Sequence, residues 1–437
     1  MYSSFLHTSR GRRKAAILGL VAEAEVRLHV PEPAARPGED PDFSHLDIPE
    51  VGSARRPDID VAANDTYDLA TAMVRVLDDD GHATGPWTPD ITDEAKLQGL
   101  RHMVVTRLIE KQFEMLQRQG KAAFAMRSLG EEAIAVSAAM AVDATSPGYG
   151  PGLDMHFPTY RQAGLLVANR HSLFEMTCQV LSNEGDRLKG AQLPVLHSVP
   201  ECGFFSVSGN LGTQIINAVG WAMAGAIEGK RIVASAWTGE GATAENDFHS
   251  ALVFASVYQP PVLLNVVNNQ WAISSFQGIA GGANAPFAQR GIGYGIATLR
   301  VDGNDFLAGY AASEWATARA RAAHGPTLIE WVTYRAASHS TSDDPSRYRP
   351  KDAAKSWPLG DPVERLTQHL LVTGAADQAD IDRIHEESTA TVNEAVAKAE
   401  KLGDLNSGPK QSPAEMFRHV YAEIPPHLIE QRQELGY

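Results

Sequence analysis

The chain has 437 residues, of which 43% are hydrophobic and 21% are charged, a composition typical of a globular protein with ample material for a core. Its formal net charge of −15 argues against a nucleic-acid partner, because phosphate backbones are bound by clustered lysines and arginines. No apolar stretch reaches the ~18–20 residues of a membrane span, and the two cysteines, Cys178 and Cys202, suit neither a zinc site nor a disulfide scaffold.

Residues 1–91 are predicted to form an N-terminal extension and arm. The first twenty residues carry four basic residues between Arg10 and Lys14 and no acidic residue. A bacterial extension without fixed structure is the preferred interpretation, which gives a cytoplasmic location; a transit peptide, and hence the mitochondrial matrix, is the alternative. Residues 30–60 hold six prolines among mixed charges, a pattern that predicts an arm lying on a surface or on a partner.

Residues 92–350 are predicted to form the central domain, and its first element is a helix. Thr92 is followed by two acidic residues, which favours a helix start, and apolar residues recur at helical spacing from Leu97 to Leu108. Gly120 is the predicted stop. Further along, residues 215–227 are apolar but too short to span a membrane, so we expect a buried helix rich in glycine and alanine. Close helix packing at a subunit interface is an equally good interpretation of its small residues.

Short apolar runs then alternate with helical patterns, which predicts an α/β fold in which helices cover both faces of a parallel sheet. The predicted strands are residues 231–237, 261–267 and 326–334, and a helix is predicted over 244–257. Residues 351–437 are predicted to be a helical C-terminal extension, with helices over 361–374 and 381–402.

Two short motifs follow neighbouring strands of this predicted sheet. Glu240 lies between two glycines in "WTGEGATAENDF", and Asn269 closes the asparagine pair in "LLNVVNNQWAIS". Because the carboxyl ends of parallel strands meet at one edge of a sheet, both side chains should lie where such folds bind ligands. Carboxylate and amide oxygens suit Mg²⁺, and the amide groups at the start of the next helix suit a phosphate. The pair of motifs predicts a magnesium–diphosphate site.

Either motif alone is more often a simple turn than a metal site. Their order, strand–GEG–helix–strand–NN, is what favours the site. A nucleotide-binding or metal-binding regulatory protein could use the same arrangement without chemistry, although the GxxxxGK[ST] phosphate loop is absent from the sequence.

The motif pair resembles the signature of thiamine-diphosphate enzymes, in the variant found in alpha subunits of 2-oxo acid dehydrogenases. The resemblance extends from about Leu97 to the C-terminus. It is carried by "FPTYRQAG", "LSNEGDRLKGAQLP", "GNLGTQIINAVGWA", "RVDGNDF", "HSTSDDPSRYRP" and the closing "QRQELG". The "HSTSDD" segment is similar to the branched-chain members, where pyruvate-specific members typically have "HSMSDP". The resemblance implies the thiamine-diphosphate-binding fold.

The resemblance also implies roles for individual residues. Glu240, Asn269 and the main-chain carbonyl of Trp271 would bind Mg²⁺, and His339 would be the catalytic histidine near the reacting carbon and would also contact the cofactor. The remaining expected cofactor contacts are Tyr160, Arg161, Gly209, Leu211, Gly241 and Ala242. A structural K⁺ seen in some members would be bound by Ser208, Asn210, Thr213 and Gln214.

Two departures from the family pattern stand out. Glu240 replaces the usual aspartate, which could displace the metal slightly, although some branched-chain members share this glutamate. Val267 stands where other members carry an arginine that contacts the diphosphate, so cofactor affinity could be weaker.

The implied activity is oxidative decarboxylation of branched-chain 2-oxo acids such as 3-methyl-2-oxobutanoate, with transfer of the acyl group to the lipoyl arm of an acyltransferase core. Only one thiamine-like domain is found, so the resemblance implies that a beta subunit supplies the catalytic glutamate in an α2β2 heterotetramer. A pyruvate or acetoin dehydrogenase alpha subunit is the alternative within the family. A non-catalytic subunit that binds Mg-nucleotide or serves assembly is the alternative outside it.

Overall fold

The computed structural model describes residues 28–437 of the chain. The basic N-terminal segment, predicted to be an extension or alternatively a transit peptide, lies outside these described residues. Residues Pro33–Tyr437 form one compact unit. The division into regions at 91/92 and 350/351 stays a prediction. Within the described range, no helix is both long and apolar enough to cross a membrane.

A six-stranded parallel sheet forms the centre of the fold, in the order β1-β7-β8-β4-β3-β2. A two-residue antiparallel hairpin, β5–β6, follows β4. The strands are β1 Met73–Val74, β2 Met155–Phe157, β3 Ala234–Gly239, β4 Val262–Asn268, β5 Trp271–Ala272, β6 Ser275–Phe276, β7 Ala297–Asp302 and β8 Thr327–Val332.

Helices cover both faces of the sheet, as the α/β pattern predicts. They are α1 Asp93–Arg118, α2 Glu132–Asp143, α3 Ala163–Ala168, α4 Leu173–Leu181, α5 Thr213–Ile227, α6 Asn246–Tyr258, α7 Gln289–Ile292, α8 Phe306–Arg321, α9 Pro362–Thr373, α10 Gln378–Glu400 and α11 Pro426–Glu434. The side chain of Thr92 accepts a hydrogen bond from the amide of Ala95, so it caps α1 as its position in the sequence predicts.

Most predicted elements are confirmed to within a few residues, including the helices on either side of Gly374. The expectation of a buried helix over residues 215–227 is wrong in part. One face of α5 packs on the sheet, but Asn217, Gly220 and Ala224 on the opposite face are exposed. The small residues of this helix therefore form part of the exposed surface as well as a packing contact.

The register of the sheet explains why the two sequence motifs meet. Gly239 at the end of β3 lies opposite Val267 of β4 in a parallel pair. Glu240 and Asn269 therefore leave adjacent strands at the same edge. In the N-terminal arm, Phe43 makes edge-on ring contacts with Tyr334 and Trp357 at centroid distances of 5.6 and 5.1 Å. Nε2 of His45 in the same arm lies 3.1 Å from Oε1 of Gln270, in the turn between β4 and β5.

Candidate cofactor-binding site

A cavity of about 310 Å³ lies at the carboxyl ends of β3 and β4. Ten residues singled out from the sequence line it: Tyr160, Arg161, Leu211, Gln214, Glu240, Gly241, Ala242, Asn269, Trp271 and His339. They come from five separate stretches of the chain, and the sheet and its connecting loops bring them together. The cavity is where parallel α/β folds bind ligands.

Glu240 follows β3 directly and is 1% exposed. Among the described residues its Oε1 atom has no hydrogen-bond partner, which is unusual for a buried carboxylate. Burial raises the pKa of Glu240 to about 7, and the nearby Glu131 carboxyl adds to the effect. A cation in the cavity would satisfy the unpaired oxygen and favour the ionised form. The environment of Glu240 therefore fits a metal ligand.

Asn269 lies in the turn after β4, and both ends of its side-chain amide are engaged. Its Nδ2 donates to Oε1 of Glu131 at 2.9 Å, and its Oδ1 accepts from the amide of Trp271 at 3.3 Å. The carbonyl of Trp271 accepts from Nη1 of Arg335 at 2.8 Å. A carbonyl oxygen has two lone pairs, so this contact leaves Trp271 one lone pair for a cation.

The two glycines that flank Glu240 differ in the space around them. A Cβ atom at Gly241 would lie 2.4 Å from Cβ of Ala272, so only glycine fits against the β5 strand. A Cβ atom at Gly239 would meet no heavy atom of the described chain within 4 Å. Gly241 and Ala242 open a 3₁₀ turn, Gly241–Ala244, whose first amides lack carbonyl partners within the turn and suit an anion.

Arg161 connects the loop after β2 with the loop that carries His339. Its Nη1 donates to the carbonyl of Arg127 at 2.7 Å, and its Nη2 donates to the carbonyl of His339 at 3.0 Å. The same Nη2 lies 3.1 Å from Nδ1 of His339, and the ring of Tyr160 meets the imidazole edge-on at 5.9 Å. Arg161 is 5% exposed, so it is a buried cation at the cavity wall.

The surroundings of His339 determine its protonation state. Burial lowers the pKa of His339 to about 3, and the guanidinium groups of Arg161 and Arg335 lower it further, against the opposing effect of Asp343. Nδ1 lies 3.1 Å from Arg161 and 3.4 Å from Arg335. Because both guanidinium groups are donors only, Nδ1 must accept and the proton resides on Nε2. The result is a neutral imidazole with Nε2–H as its donor.

The structure does not place Gly209 in the main cavity. Together with Ser208, Asn210 and Thr213, it lines a separate open cavity of about 500 Å³. Three of the four residues expected to bind K⁺ thus share a cavity. The fourth, Gln214, lines the main cavity and donates from Nε2 to the carbonyl of Ser208 at 3.0 Å.

Sequence reasoning missed two buried charged residues at this site. Glu131 is 3% exposed and lines the cavity beside Asn269. Arg335 is fully buried and donates from Nη2 to the carbonyl of Ile273 and the hydroxyl of Tyr348 at 2.8 and 2.6 Å. Neither residue belongs to the GEG or NN motif, and only the fold brings them to it. The sequence gives no local pattern that would single them out.

Comparison with known proteins identifies the family of this chain. The family described as "Dehydrogenase E1 component" matches residues 100–407, and "2-oxoisovalerate dehydrogenase E1 alpha subunit N terminal" matches residues 24–64.

Three relatives cover most of the chain. The "2-oxoisovalerate dehydrogenase subunit alpha" of Pseudomonas aeruginosa is 56% identical over 94% of this chain and 98% of its own length. The "3-methyl-2-oxobutanoate dehydrogenase subunit alpha" of Mycobacterium tuberculosis is 37% identical over 83% and 93%. The mitochondrial "2-oxoisovalerate dehydrogenase subunit alpha" of Homo sapiens is 35% identical over 83% and 79%. The chain therefore belongs to the dehydrogenase E1 component family, and this membership implies dependence on thiamine diphosphate.

Proposed function

We propose that the chain is the alpha subunit of a decarboxylase that acts on branched-chain 2-oxo acids, with 3-methyl-2-oxobutanoate as the representative substrate. The acyl group passes to the lipoyl arm of an acyltransferase core. The observation that carries the proposal is the Pseudomonas relative, which is 56% identical over 94% of the chain and bears the name of this activity. The cavity supports it, because the cofactor contacts expected from the family, apart from Gly209, all line the same cavity.

The residues present fit a magnesium–diphosphate group. Glu240 offers a buried carboxylate oxygen that has no partner within residues 28–437, and Asn269 and the carbonyl of Trp271 offer two further hard oxygens. These three would hold Mg²⁺. The amides of Gly241 and Ala242 would bind the diphosphate oxygens opposite Tyr160 and the guanidinium of Arg161, whose fixed charge suits an anion.

When bound, thiamine diphosphate supplies the carbon nucleophile and electron sink for decarboxylation. This chain's residues would supply a hydrogen-bond donor to the reacting groups and exclude water from them. The neutral His339 can donate from Nε2 to an oxygen on which charge develops, since Arg161 and Arg335 fix its tautomer from the other side. Leu211, Ile273 and Ile279 line the cavity and are 43–55% exposed, so a bound cofactor would cover their apolar side chains, which would then exclude water from it.

The proposal includes a beta subunit that supplies the catalytic glutamate in an α2β2 assembly. Support comes from an exposed apolar surface on α6. Its exposed face contains apolar side chains, with Val253, Phe254, Val257 and Tyr258 between 45% and 65% exposed. Exposed apolar patches of this kind mark protein interfaces. The Ser208–Gln214 segment would bind K⁺ in the complete assembly.

The experiment is a decarboxylation assay of the chain in complex with its beta subunit, with thiamine diphosphate, Mg²⁺ and an artificial electron acceptor. Preference for 3-methyl-2-oxobutanoate over pyruvate is the expected result, and Glu240→Ala should abolish turnover of both. Preference for pyruvate would keep the reaction and overturn the substrate. Full activity of Glu240→Ala would point to a subunit retained for assembly, and activity of the isolated chain would refute the need for a beta subunit.

A further inference from the structure

Glu131 is a buried carboxylate that the proposed mechanism has not used. It precedes α2, is 3% exposed, and lines the cavity with Glu240 and Asn269. Its Oε1 accepts from Nδ2 of Asn269 at 2.9 Å and lies 3.8 Å from Nε of Arg161. Its Oε2 is buried and has no hydrogen-bond partner in the part of the chain that the structure describes.

Helix formation does not explain why an acidic residue occupies this position. Glu131 is the N-cap residue of α2, but its side chain makes no capping hydrogen bond among the described residues. The neighbouring Glu132 is different, because both of its oxygens have structural partners. Oε1 of Glu132 accepts from Nε of Arg107 at 2.7 Å, and Oε2 accepts from the amide of Gly130 at 2.9 Å. Of the two adjacent carboxylates, Glu132 stabilises the fold and Glu131 faces the site.

The contact with Glu131 determines which end of the Asn269 amide is available. An asparagine amide has a donor end and an acceptor end, and a turn by 180° about its last bond exchanges them. An ionised carboxyl oxygen only accepts, so at 2.9 Å it requires the NH₂ end of Asn269 on the Glu131 side, and the backbone amide of Trp271, a donor 3.3 Å from Oδ1, requires the same orientation. The oxygen end of Asn269 is therefore directed away from Glu131.

We propose that Glu131 is a positioning residue, which holds Asn269 with its Oδ1 toward the cation of the proposed magnesium–diphosphate site. This inference rests on the proposed function. Outer-shell hydrogen bonds of this kind orient metal ligands, and losing one typically weakens metal affinity by about 10–100-fold. Oε1 of Glu131 also lies 3.8 Å from Nε of Arg161, so Glu131 connects the turn that carries Asn269 with the loop that carries Tyr160 and Arg161.

The test measures the Mg²⁺ concentration that gives half-maximal binding of thiamine diphosphate, followed by tryptophan fluorescence of the complex with its beta subunit. Glu131→Ala should raise this concentration by about 10–100-fold. Glu131→Gln should recover most of the affinity, because a glutamine Oε1 can still accept from Nδ2. Glu131→Met fills the volume without an acceptor and replaces the alanine variant if that variant does not fold.

The control is Glu132→Gln, which should lower the melting temperature and leave the Mg²⁺ requirement unchanged. A wild-type Mg²⁺ requirement in both Glu131→Ala and Glu131→Met would overturn the inference. So would a glutamine variant as impaired as the alanine variant, or an equal effect of Glu132→Gln. Failure of the wild-type complex to bind thiamine diphosphate at any Mg²⁺ concentration would instead refute the proposed function itself.

Discussion

The charges around His339 show how single residues set the chemistry of the cavity. Arg161 and Arg335 approach the same ring nitrogen, at 3.1 and 3.4 Å, and both contacts disfavour an imidazolium ion. The backbone amide of His339 donates to Oδ2 of Asp343 at 2.7 Å, which fixes the loop while the ring stays neutral. His339 is thus prepared to donate a hydrogen bond from Nε2, and it does not act as a cation at neutral pH.

Replacement of His339 by alanine should lower the rate of decarboxylation by about 10²–10⁴-fold, the range for loss of a positioned proton donor. Binding of thiamine diphosphate should weaken far less than turnover, because the expected contacts with the diphosphate and the metal do not include His339. Steady-state kinetics and a cofactor titration measure the two quantities. His385→Ala, on the exposed side of α10, is the matched control and should retain full activity. A His339→Ala enzyme with normal turnover would contradict the assigned role.

The protonation state of His339 can be tested separately by NMR of the imidazole. Because the pKa of His339 is lowered from 6.5 to about 3, its signal should not titrate between pH 8 and pH 5. In Arg161→Met the pKa should move up toward the ordinary value, since one of the two positive neighbours is removed. A wild-type midpoint near pH 6.5 would disprove the neutral imidazole.

The raised pKa of Glu110, which lies away from the cofactor cavity, predicts that the stability of the protein depends on pH. Burial raises its folded-state pKa from 4.5 to about 8, although Ser128 donates to it from both its amide and its hydroxyl. Between pH 4.5 and 8 the folded chain binds the proton and the unfolded chain releases it, so this group's contribution to stability falls as pH rises. Glu110→Gln should remove that loss and stabilise the protein at pH 8 relative to wild type, by on the order of 1 kcal/mol or more. Urea unfolding at pH 5 and pH 8 measures the difference. The prediction would be refuted if the free energy of unfolding changed equally between the two pH values in both proteins.

At the scale of elements, the sequence predicted those that show a clear hydrophobic pattern. Strands β3, β4 and β8 and helix α6 were found because their apolar runs are long and bounded by turn residues. Strand β2 has three residues, too few for any period. Strand β7 is fully buried although its sequence, ATLRVD, contains two charged residues. These residues form ion pairs and carbonyl contacts that only the fold supplies. Nη1 of Arg365, for example, lies 2.8 Å from Oδ2 of Asp302.

The same distinction holds for the site. Glu240 and Asn269 could be found because each follows a recognisable strand, and the carboxyl ends of neighbouring parallel strands lie at the same edge of the sheet. Glu131 and Arg335 could not, because their contacts join distant parts of the chain and leave no periodic signal. The sequence left open whether the small residues of α5 lie in the core or at an interface, since an apolar helix composition does not distinguish the two.

The turn after β3 allows a paired test of two glycines. Gly241→Ala should destabilise the protein by about 1–3 kcal/mol, because its methyl group would overlap Ala272 and force β5 away from the turn. Gly239→Ala has open space and should leave stability within about 0.5 kcal/mol of wild type. Its methyl group would occupy the cavity, so thiamine diphosphate should bind more weakly. Chemical unfolding and cofactor titration separate the two effects, and the reverse assignment would refute this account of the turn.

At the scale of the whole molecule, charge is unevenly distributed. The chain carries a net charge of −15, yet the exposed residues of α6 include no aspartate, glutamate, lysine or arginine: Asn246, His249, Ser250, Val253, Phe254, Val257 and Tyr258. The exposed residues of α5 include the small Gly220 and Ala224, and a Cβ atom at Gly220 would meet no described heavy atom within 4 Å. Such a surface is typical of one that packs closely against another chain through mostly apolar contacts.

Val257→Lys tests whether this surface holds the beta subunit. Val257 is 65% exposed, so the lysine should leave the fold and melting temperature of the isolated chain nearly unchanged. In the assembly the charge would be buried without a partner, so association should weaken at least about tenfold, or about 1.4 kcal/mol. Val372→Lys, at a position 45% exposed on α9, is the matched control and should assemble normally. Size-exclusion chromatography with light scattering measures assembly, and decarboxylation should fall with it because the cavity alone lacks the glutamate expected from the beta subunit. Normal assembly of Val257→Lys would place the partner on another surface and leave the apolar face of α6 without an explanation.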